Sequence, residues 1–428
     1  MLASAPYWLF QMLRHGKYWK SFPERIGRVP PRLLLRSENR QPPTIWVHAV
    51  SVGEVLAVSR LVEELHRQFV SYRVVVSTTT DTGQALARQR FGEGNVFYFP
   101  IDFSFAIRPY LRALQPELVV IAETEFWPNF LRLARQSGAS IAIVNARISD
   151  RSWKNYRRFR RALRHVLENV SLFLAQTPED ASRLRSIGAS CERIAVSGNL
   201  KFDVPVPTTL PIVEELRHSL AAEQAHPVLV CGSTVEGEEP LVLKAFEHVL
   251  VKYPKAMMVL APRHPERNAD VARLIEQMGI RFRRRSQWHG EPLSGSVLLV
   301  DTMGELASLY ALADLAFVGG SLVPRGGHNI LEPAQHGVPI IVGNHTENFR
   351  DIIALFQSRD AVRVVGPAEF PLVLMDLLAN EHERTAIGSR AAETVQSQTG
   401  ATQRTLKHLA HLLGKKLTTS AAQGAGAE

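Results

Sequence analysis

The chain has 428 residues, 45% of them apolar and 21% charged, with 50 Lys and Arg against 41 Asp and Glu and a net charge of +9. At about 150 residues per domain this length predicts two or three folded units, and the apolar content excludes a chain that is mainly disordered or fibrous. Two cysteines, Cys191 and Cys231, exclude a disulfide framework and a four-thiolate metal site and fit a reducing compartment, and no apolar run reaches the roughly 18 residues that span a bilayer.

Residues 1–40 carry most of the net charge, with Arg14, Lys17, Lys20, Arg25, Arg28, Arg32, Arg36 and Arg40 against Glu24 and Glu38. Six aromatics (Tyr7, Trp8, Phe10, Tyr18, Trp19, Phe22) share the first 22 residues of that stretch. An aromatic and cationic opening with a short apolar run fits a segment lying among lipid headgroups. A helix packed on its own protein is the plainer meaning, and Gly16 and Pro23 interrupt a clean amphipathic pattern. The charges follow the apolar run and no small-residue cleavage site comes after them, the reverse of the order expected in a signal peptide.

From residue 44 short β-branched runs alternate with helical patterns. Strands are predicted at 45–50, 74–77, 118–122, 141–144, 172–175 and 194–196, with a helix over 54–68 after the first. Their near-continuous apolar character suits parallel strands covered on both faces. The stretch Arg151 to Arg164 holds seven cations and no acid, with Tyr156, Phe159, Leu163 and Val166 on one helical face. It is either a solvated outer face or an anion-facing surface, and no nucleic-acid-binding motif accompanies it. Pro205, Pro207 and Pro211 then break the rhythm as a stiff linker. A second series follows, with strands at 228–231, 256–260, 297–300, 315–318, 339–342 and 361–365. The ending from Lys415 is small and polar and is expected to be flexible. Two α/β halves joined by a linker predict an interdomain cleft where ligands bind.

The common nucleotide and zinc signatures are absent: no Gly-x-Gly-x-x-Gly after a strand, no P-loop and no His-Glu-x-x-His. In their place stand glycine- or serine-rich strand-to-helix turns. Val318 to Pro333 contains Gly319, Gly320, Gly326 and Gly327, with Asn329 as a helix cap and Glu332 one turn further on. Such a turn offers free N–H groups to phosphate, and Glu332 either accepts from ribose hydroxyls or merely favours the helix start. Pro262 and Arg263 follow another strand, where the guanidinium suits a phosphate or a base carbonyl, or is an ordinary loop arginine. A third turn presents the backbone of Met303, Gly304 and Glu305. All three lie beyond the carboxyl ends of strands in one sheet, where ligands of α/β folds gather.

In the first half, Ser51-x-x-Glu54 fits a capping box and equally a general base, held ionised by the helix N-terminus. Glu123 and Glu125 end another strand and either start a helix or order a charged centre. Lys201 sits beside the linker, as a surface lysine or as a group reaching an anion.

In combination these motifs are specific. His48-x-x-Ser51-Val-Gly-Glu54, Glu123-Thr-Glu-Phe-Trp-Pro-Asn129, Asn145-Ala-Arg147, Gly198-Asn-Leu-Lys-Phe-Asp203, Pro262-Arg-His-Pro-Glu-Arg267 and Gly326-Gly-His-Asn-Ile-Leu-Glu-Pro333 occur in this order. The chain closely resembles the bacterial 3-deoxy-D-manno-octulosonic acid (Kdo) transferases of lipopolysaccharide assembly over roughly residues 21–410. The resemblance implies an α/β chain of GT-B fold, two Rossmann-like doubly wound parallel-sheet domains facing each other across a cleft. Its parts would be a membrane-associating segment (1–40), an acceptor-binding domain (41–203), a linker (204–211), a CMP-sugar-binding domain (212–410) and a flexible tail (411–428).

The implied activity is inverting transfer of Kdo from CMP-Kdo to the 6'-hydroxyl of a tetra-acylated lipid A precursor, without metal or cofactor. The implied place is the cytoplasmic side of the cell inner membrane, with no nucleic acid as partner. Glu54 matches the family's general base, and Glu123 and Lys201 match groups that stabilise the transition state. Pro262, Arg263, Met303, Gly304, Glu305, Asn329, Ile330, Leu331 and Glu332 match the segments that contact CMP. The opening is shorter and less apolar than the anchor many members carry. The alternatives are a GT-B transferase for another nucleotide sugar, such as UDP-N-acetylglucosamine, and a non-catalytic anion- or lipid-binding protein of the same fold.

Overall fold

Runs of Val, Ile and Leu that bury both faces build two seven-stranded sheets, each wholly parallel, in a computed structural model that describes residues 21–34, 42–203 and 210–424. The basic aromatic segment before residue 21 and residues 204–209 of the linker lie outside the described residues. The chain divides into two units. One takes the described residues through Asp203 and again those from Gln398 onward, and the other lies between them.

The first sheet contains β1 (Thr44–His48), β2 (Arg73–Thr78), β3 (Val96–Tyr98), β4 (Pro116–Ala122), β5 (Ser140–Ala146), β6 (Leu172–Ala175) and β7 (Ile194–Val196), in the order β3-β2-β1-β4-β5-β6-β7. Successive residues alternate between two cores: Trp46, Val119 and Ile121 enter one, Ile45, Val47 and Val120 the other. The second sheet contains β8 (Val228–Thr234), β9 (Met257–Pro262), β10 (Phe282–Arg284), β11 (Ser296–Leu299), β12 (Leu315–Val318), β13 (Ile340–Gly343) and β14 (Arg363–Val365), in the order β10-β11-β9-β8-β12-β13-β14. Leu229 and Phe317 face one core there and Val230 and Ala316 the other. Both sheets are therefore doubly wound. Their order reverses between β1 and β4 and between β8 and β12, and beyond the carboxyl ends of such a pair a crevice opens for ligands.

Two elements escape the sequence patterns. β3 and β10 are three-residue edge strands, and β10 reads Phe-Arg-Arg, with no apolar run to announce it.

The C-terminus also departs from expectation. A helix runs from Ala401 to Gly424, so the chain is helical through most of the segment expected as a flexible tail, and the expected boundary at 410 falls inside that helix. Its Ala401, Leu406, Leu409 and Leu413 join the core of the first unit beside Val55, Val58 and Leu61. The periodic leucines carry the helix past the point where composition turns polar. Asp203 anchors its start by accepting from the backbone N–H of Gly400 at 2.6 Å and from that of Thr402. Arg404 returns the tie by donating to the Ser197 carbonyl at 2.8 Å.

Removing the Asp203 carboxylate leaves two helix-start amides without their partner. Asp203→Ala is expected to lower the stability of the first unit by about 2–3 kcal/mol, read from urea unfolding followed by tryptophan fluorescence. A midpoint that does not move would refute this anchoring role.

Candidate active site

In the first unit the chemistry gathers at the ends of β1 and β4. Residues 49–51 leave β1, and the helix Val52–Gln68 begins with Glu54 in its first turn. The capping box does not form: Ser51 makes no side-chain cap. Its hydroxyl instead donates to Glu54 Oε1 at 3.3 Å, while Oε2 accepts from the Val50 N–H at 2.7 Å. Glu54 is only 8% exposed. Burial is the largest influence on its carboxyl and, with Glu123 and Glu125 nearby, outweighs the Val50 and Ser51 bonds, raising its pKa from 4.5 to about 8. This corrects the expectation that the helix start keeps Glu54 ionised. Desolvation and like charge exceed the dipole's pull.

Glu123 leaves β4 with φ of +57°, a left-handed conformation unusual for a side-chain-bearing residue, while its N–H still donates to the Val144 carbonyl at 2.8 Å. Its carboxylate pairs with Lys201 Nζ at 3.5 Å. The lysine is placed from β5. Asn145, also left-handed at φ +54°, accepts the Leu200 N–H on Oδ1 at 2.9 Å, and Asn199 Oδ1 accepts the Lys201 N–H at 3.0 Å. Glu125 is raised by burial and then by Glu123. Beneath them His48 lies wholly buried, stacked on Phe99 with Nδ1 3.1 Å from the Ser77 carbonyl. Burial lowers the pKa of His48 to about 3, so the ring is neutral and is no proton carrier at ordinary pH.

In the second unit, Pro262 pairs with Thr234 as β9 ends, and the Arg263 N–H donates to the Thr234 carbonyl at 2.8 Å. Arg263 is close enough to lower the pKa of His328, whose burial is the larger cause of its fall to about 4, and to oppose the burial-driven rise of Glu332. The Arg263 turn and the His328–Glu332 segment thus share one locality. Asn329 accepts the Leu331 N–H at 3.1 Å and donates to Glu332 Oε1 at 3.2 Å. Ile330 and Leu331 are 1% exposed. In the third turn the Met303 side chain is exposed and Gly304 has φ of +83°. Glu305 accepts from Arg285 Nη2 at 3.0 Å and from the Thr302 hydroxyl.

The first glycine pair of the long turn serves a different end from the one expected. The N–H groups of Gly320, Ser321 and Leu322 donate to Glu238, a buried acid that the sequence motifs do not single out. A Cβ on Gly319 would come within 2.6 Å of the Ser233 carbonyl. These two glycines permit close packing of turns, and the three amides that follow Gly319 are engaged by Glu238. Among the described residues no group of three or more His, Cys, Asp or Glu side chains is placed to hold a metal ion, and no helix is long and apolar enough to cross a membrane.

Residues 20–204 match the family model described as 3-Deoxy-D-manno-octulosonic-acid transferase (kdotransferase). The chain is 35% identical over 427 residues to the 3-deoxy-D-manno-octulosonic acid transferase of Bordetella pertussis, covering 95% of this chain and 96% of that one. It is 34% identical over 369 residues to the enzyme of that name from Haemophilus influenzae, covering 85% and 86%. Among solved structures, the UDP-GlcNAc 2-epimerase of Neisseria meningitidis superposes with a TM-score of 0.53 at 14% identity, over 86% of this chain and 100% of that one. The last likeness concerns the fold alone, which is GT-B.

The raised pKa of Glu54 has a consequence for stability. Below about pH 4.5 both folded and unfolded chains hold its proton. Between 4.5 and 8 only the folded chain does, so the unfolded state gains as pH rises; above 8 the penalty is complete. Glu54→Gln is therefore expected to be more stable than the native chain at pH 8.5, by roughly 1–3 kcal/mol, and to lose that advantage toward pH 4.5. Denaturant titration at both pH values checks it, and a gain that grows toward acid would refute the assignment.

Proposed function

The chain belongs to the 3-deoxy-D-manno-octulosonic acid transferase family, and we propose that it moves Kdo from CMP-Kdo to the 6'-hydroxyl of a tetra-acylated lipid A precursor, with inversion and without a metal. The observation that carries the mechanism is the buried Glu54 carboxyl, whose pKa of about 8 lies near working pH. A proton acceptor is most effective with its pKa there. In its ionised form Glu54 takes the proton of the acceptor hydroxyl as that oxygen bonds to the anomeric carbon of Kdo. The bond from that carbon to the phosphate oxygen breaks on the opposite face, and its electron pair leaves with CMP. Lys201, held by Glu123 at 3.5 Å, offers a fixed positive charge to the charge that develops. Arg263 and the main chain of Met303–Glu305 and Asn329–Glu332 hold the nucleotide, and Glu332 accepts from its ribose.

Attachment to the cytoplasmic side of the inner membrane is the companion reading. Among the described residues, large apolar side chains are exposed at Phe22, Ile26, Ile101, Phe103 and Phe105, the last at 62%. The two segments carrying them meet where the Ile101 N–H donates to the Arg25 carbonyl at 2.9 Å. Phe159, also exposed, lies at the junction of the arginine-rich helices Asp150–Arg158 and Arg160–Leu167. Apolar tips among cations suit an anionic lipid surface.

Glu54→Gln is expected to leave CMP affinity unchanged and to slow transfer by about a hundredfold or more, measured by mass analysis of the lipid product. In the native chain kcat/KM should climb with pH and level off near 8, as Glu54 ionises in the free enzyme, and the variant should lack that limb. Full activity in Glu54→Gln, or tighter binding of UMP than of CMP, would reject the reading. For the membrane, flotation with vesicles containing anionic lipid should fall as salt rises and fall again in the Phe103→Ser, Phe105→Ser variant. Binding indifferent to both would remove the lipid surface from the proposal.

A further inference from the structure

Two adjacent buried acids in the second unit have no part in the roles above. Glu238 and Glu239 stand where the turn after β8 enters the helix Glu239–Lys252, and neither is exposed. Glu238 accepts four backbone N–H groups. Val235 at 3.0 Å and Gly320 at 2.7 Å reach Oε2, and Ser321 at 2.9 Å and Leu322 at 2.8 Å reach Oε1. One carboxylate thereby joins the turns that end β8 and β12, the two strands between which the sheet order reverses. Glu239 receives Arg267 as a fork, Nη1 to Oε1 at 2.5 Å and Nη2 to Oε2 at 3.3 Å.

Each contact leads to a segment assigned to the nucleotide. Val235 follows Thr234, whose carbonyl holds the Arg263 N–H, and Arg267 closes the loop that Arg263 opens. Gly320, held by Glu238 through its N–H, accepts the Gly327 N–H at 2.7 Å on its carbonyl. A Cβ at Gly320 would come within 2.7 Å of the His328 ring, and φ there is +71°, so the residue before Asn329 rests directly on this turn. A Cβ at Gly319 would lie 2.8 Å from Glu238 Oε2. The turn and the acid are fitted to each other.

We infer that Glu238, supported by Glu239, is a positioning residue for the donor nucleotide: its carboxylate fixes the Arg263 loop and the Gly327–Glu332 segment in the mutual arrangement that binds a nucleoside monophosphate. The inference rests on the reading that these segments hold CMP. The carboxylate is required because four donors converge on it. A glutamine keeps one acceptor oxygen and turns an NH2 toward two of those N–H groups, leaving buried amides unpaired and the turns free to separate.

The test uses the full chain with Glu238→Gln, Glu238→Asp and Glu239→Gln. Calorimetry with CMP should show affinity weakened tenfold or more in Glu238→Gln, less in Glu238→Asp, and about threefold in Glu239→Gln. The donor KM should rise by the same factors, with acceptor KM and kcat at saturating donor within twofold of the native values. A purely structural role would reduce the folded fraction and leave the CMP affinity of the folded protein unmoved, and that result would overturn the inference. If Glu238→Gln does not fold, Glu239→Gln decides, since its partner Arg267 is part-exposed, and an unchanged CMP affinity there overturns the inference as well. A native chain that fails to bind CMP would reject the functional reading and this inference with it. A native chain that binds CMP beside variants that bind it equally would reject the inference alone.

Discussion

The bond between a buried carboxylate and a backbone amide is what the turns of both sheets depend on. A parallel strand that gives way to a helix leaves N–H groups unpaired at its carboxyl end, and burying them unpaired is costly. A carboxylate buried alone is costlier still. This chain sets the two needs against each other. Asp102 accepts from Asn129 and Phe130 at the start of one helix, Asp203 from Gly400 and Thr402 at another, and Glu238 from four amides at the switch point of the second sheet.

Glu54 is the member of this group left under-solvated. It has one amide and one hydroxyl against burial and two neighbouring acids, and its proton is held accordingly, to a pKa of about 8. Donors to the charged form favour it, and burial and like charge disfavour it, so a buried carboxyl with few donors and acid neighbours holds its proton to higher pH. Glu238 and Glu54 thus differ both in the donors that reach them, four amides against one amide and one hydroxyl, and in the two further acids that stand near Glu54.

Much of this was legible in the sequence, because the signals are local. Parallel strands announce themselves as apolar runs, and Glu54, Glu123 and Lys201 stand in motifs at strand ends. What stayed hidden depends on partners distant in the chain. Gly319 and Gly320 read as a phosphate cradle because glycine marks close approach without saying to what; the approach is to Ser233 and Glu238, more than 80 residues earlier, as the hydrogen bonds at a separation of 82 to 84 positions show. Glu238 itself looks like one of several helix-start acids until β12 is laid beside β8. The ionisation of Glu54 is hidden for the same reason: the dipole is visible in sequence, but the burial that overrides it is not. β10 went unseen because an edge strand of three residues needs no apolar run.

Backbone strain marks the same edge of the first sheet independently of the charges. Glu123 and Asn145 both adopt left-handed conformations, at φ +57° and +54°, one just past β4 and the other within β5. For residues with a side chain that conformation costs roughly 1–2 kcal/mol each, so the surroundings must hold it in place. At Glu123 the hold is the N–H bond to Val144, and at Asn145 it is the Leu200 N–H on Oδ1. The β5–β6 pairing shifts register between Ile143 and Ala146, around the strained asparagine. The outcome is that Glu123 turns out of the sheet while Asn145 draws the 199–201 turn in, and the two movements bring a carboxylate and an ammonium to 3.5 Å. Strain at two adjacent strands is exchanged for a fixed ion pair at this edge of the sheet, and neither strand alone could place it.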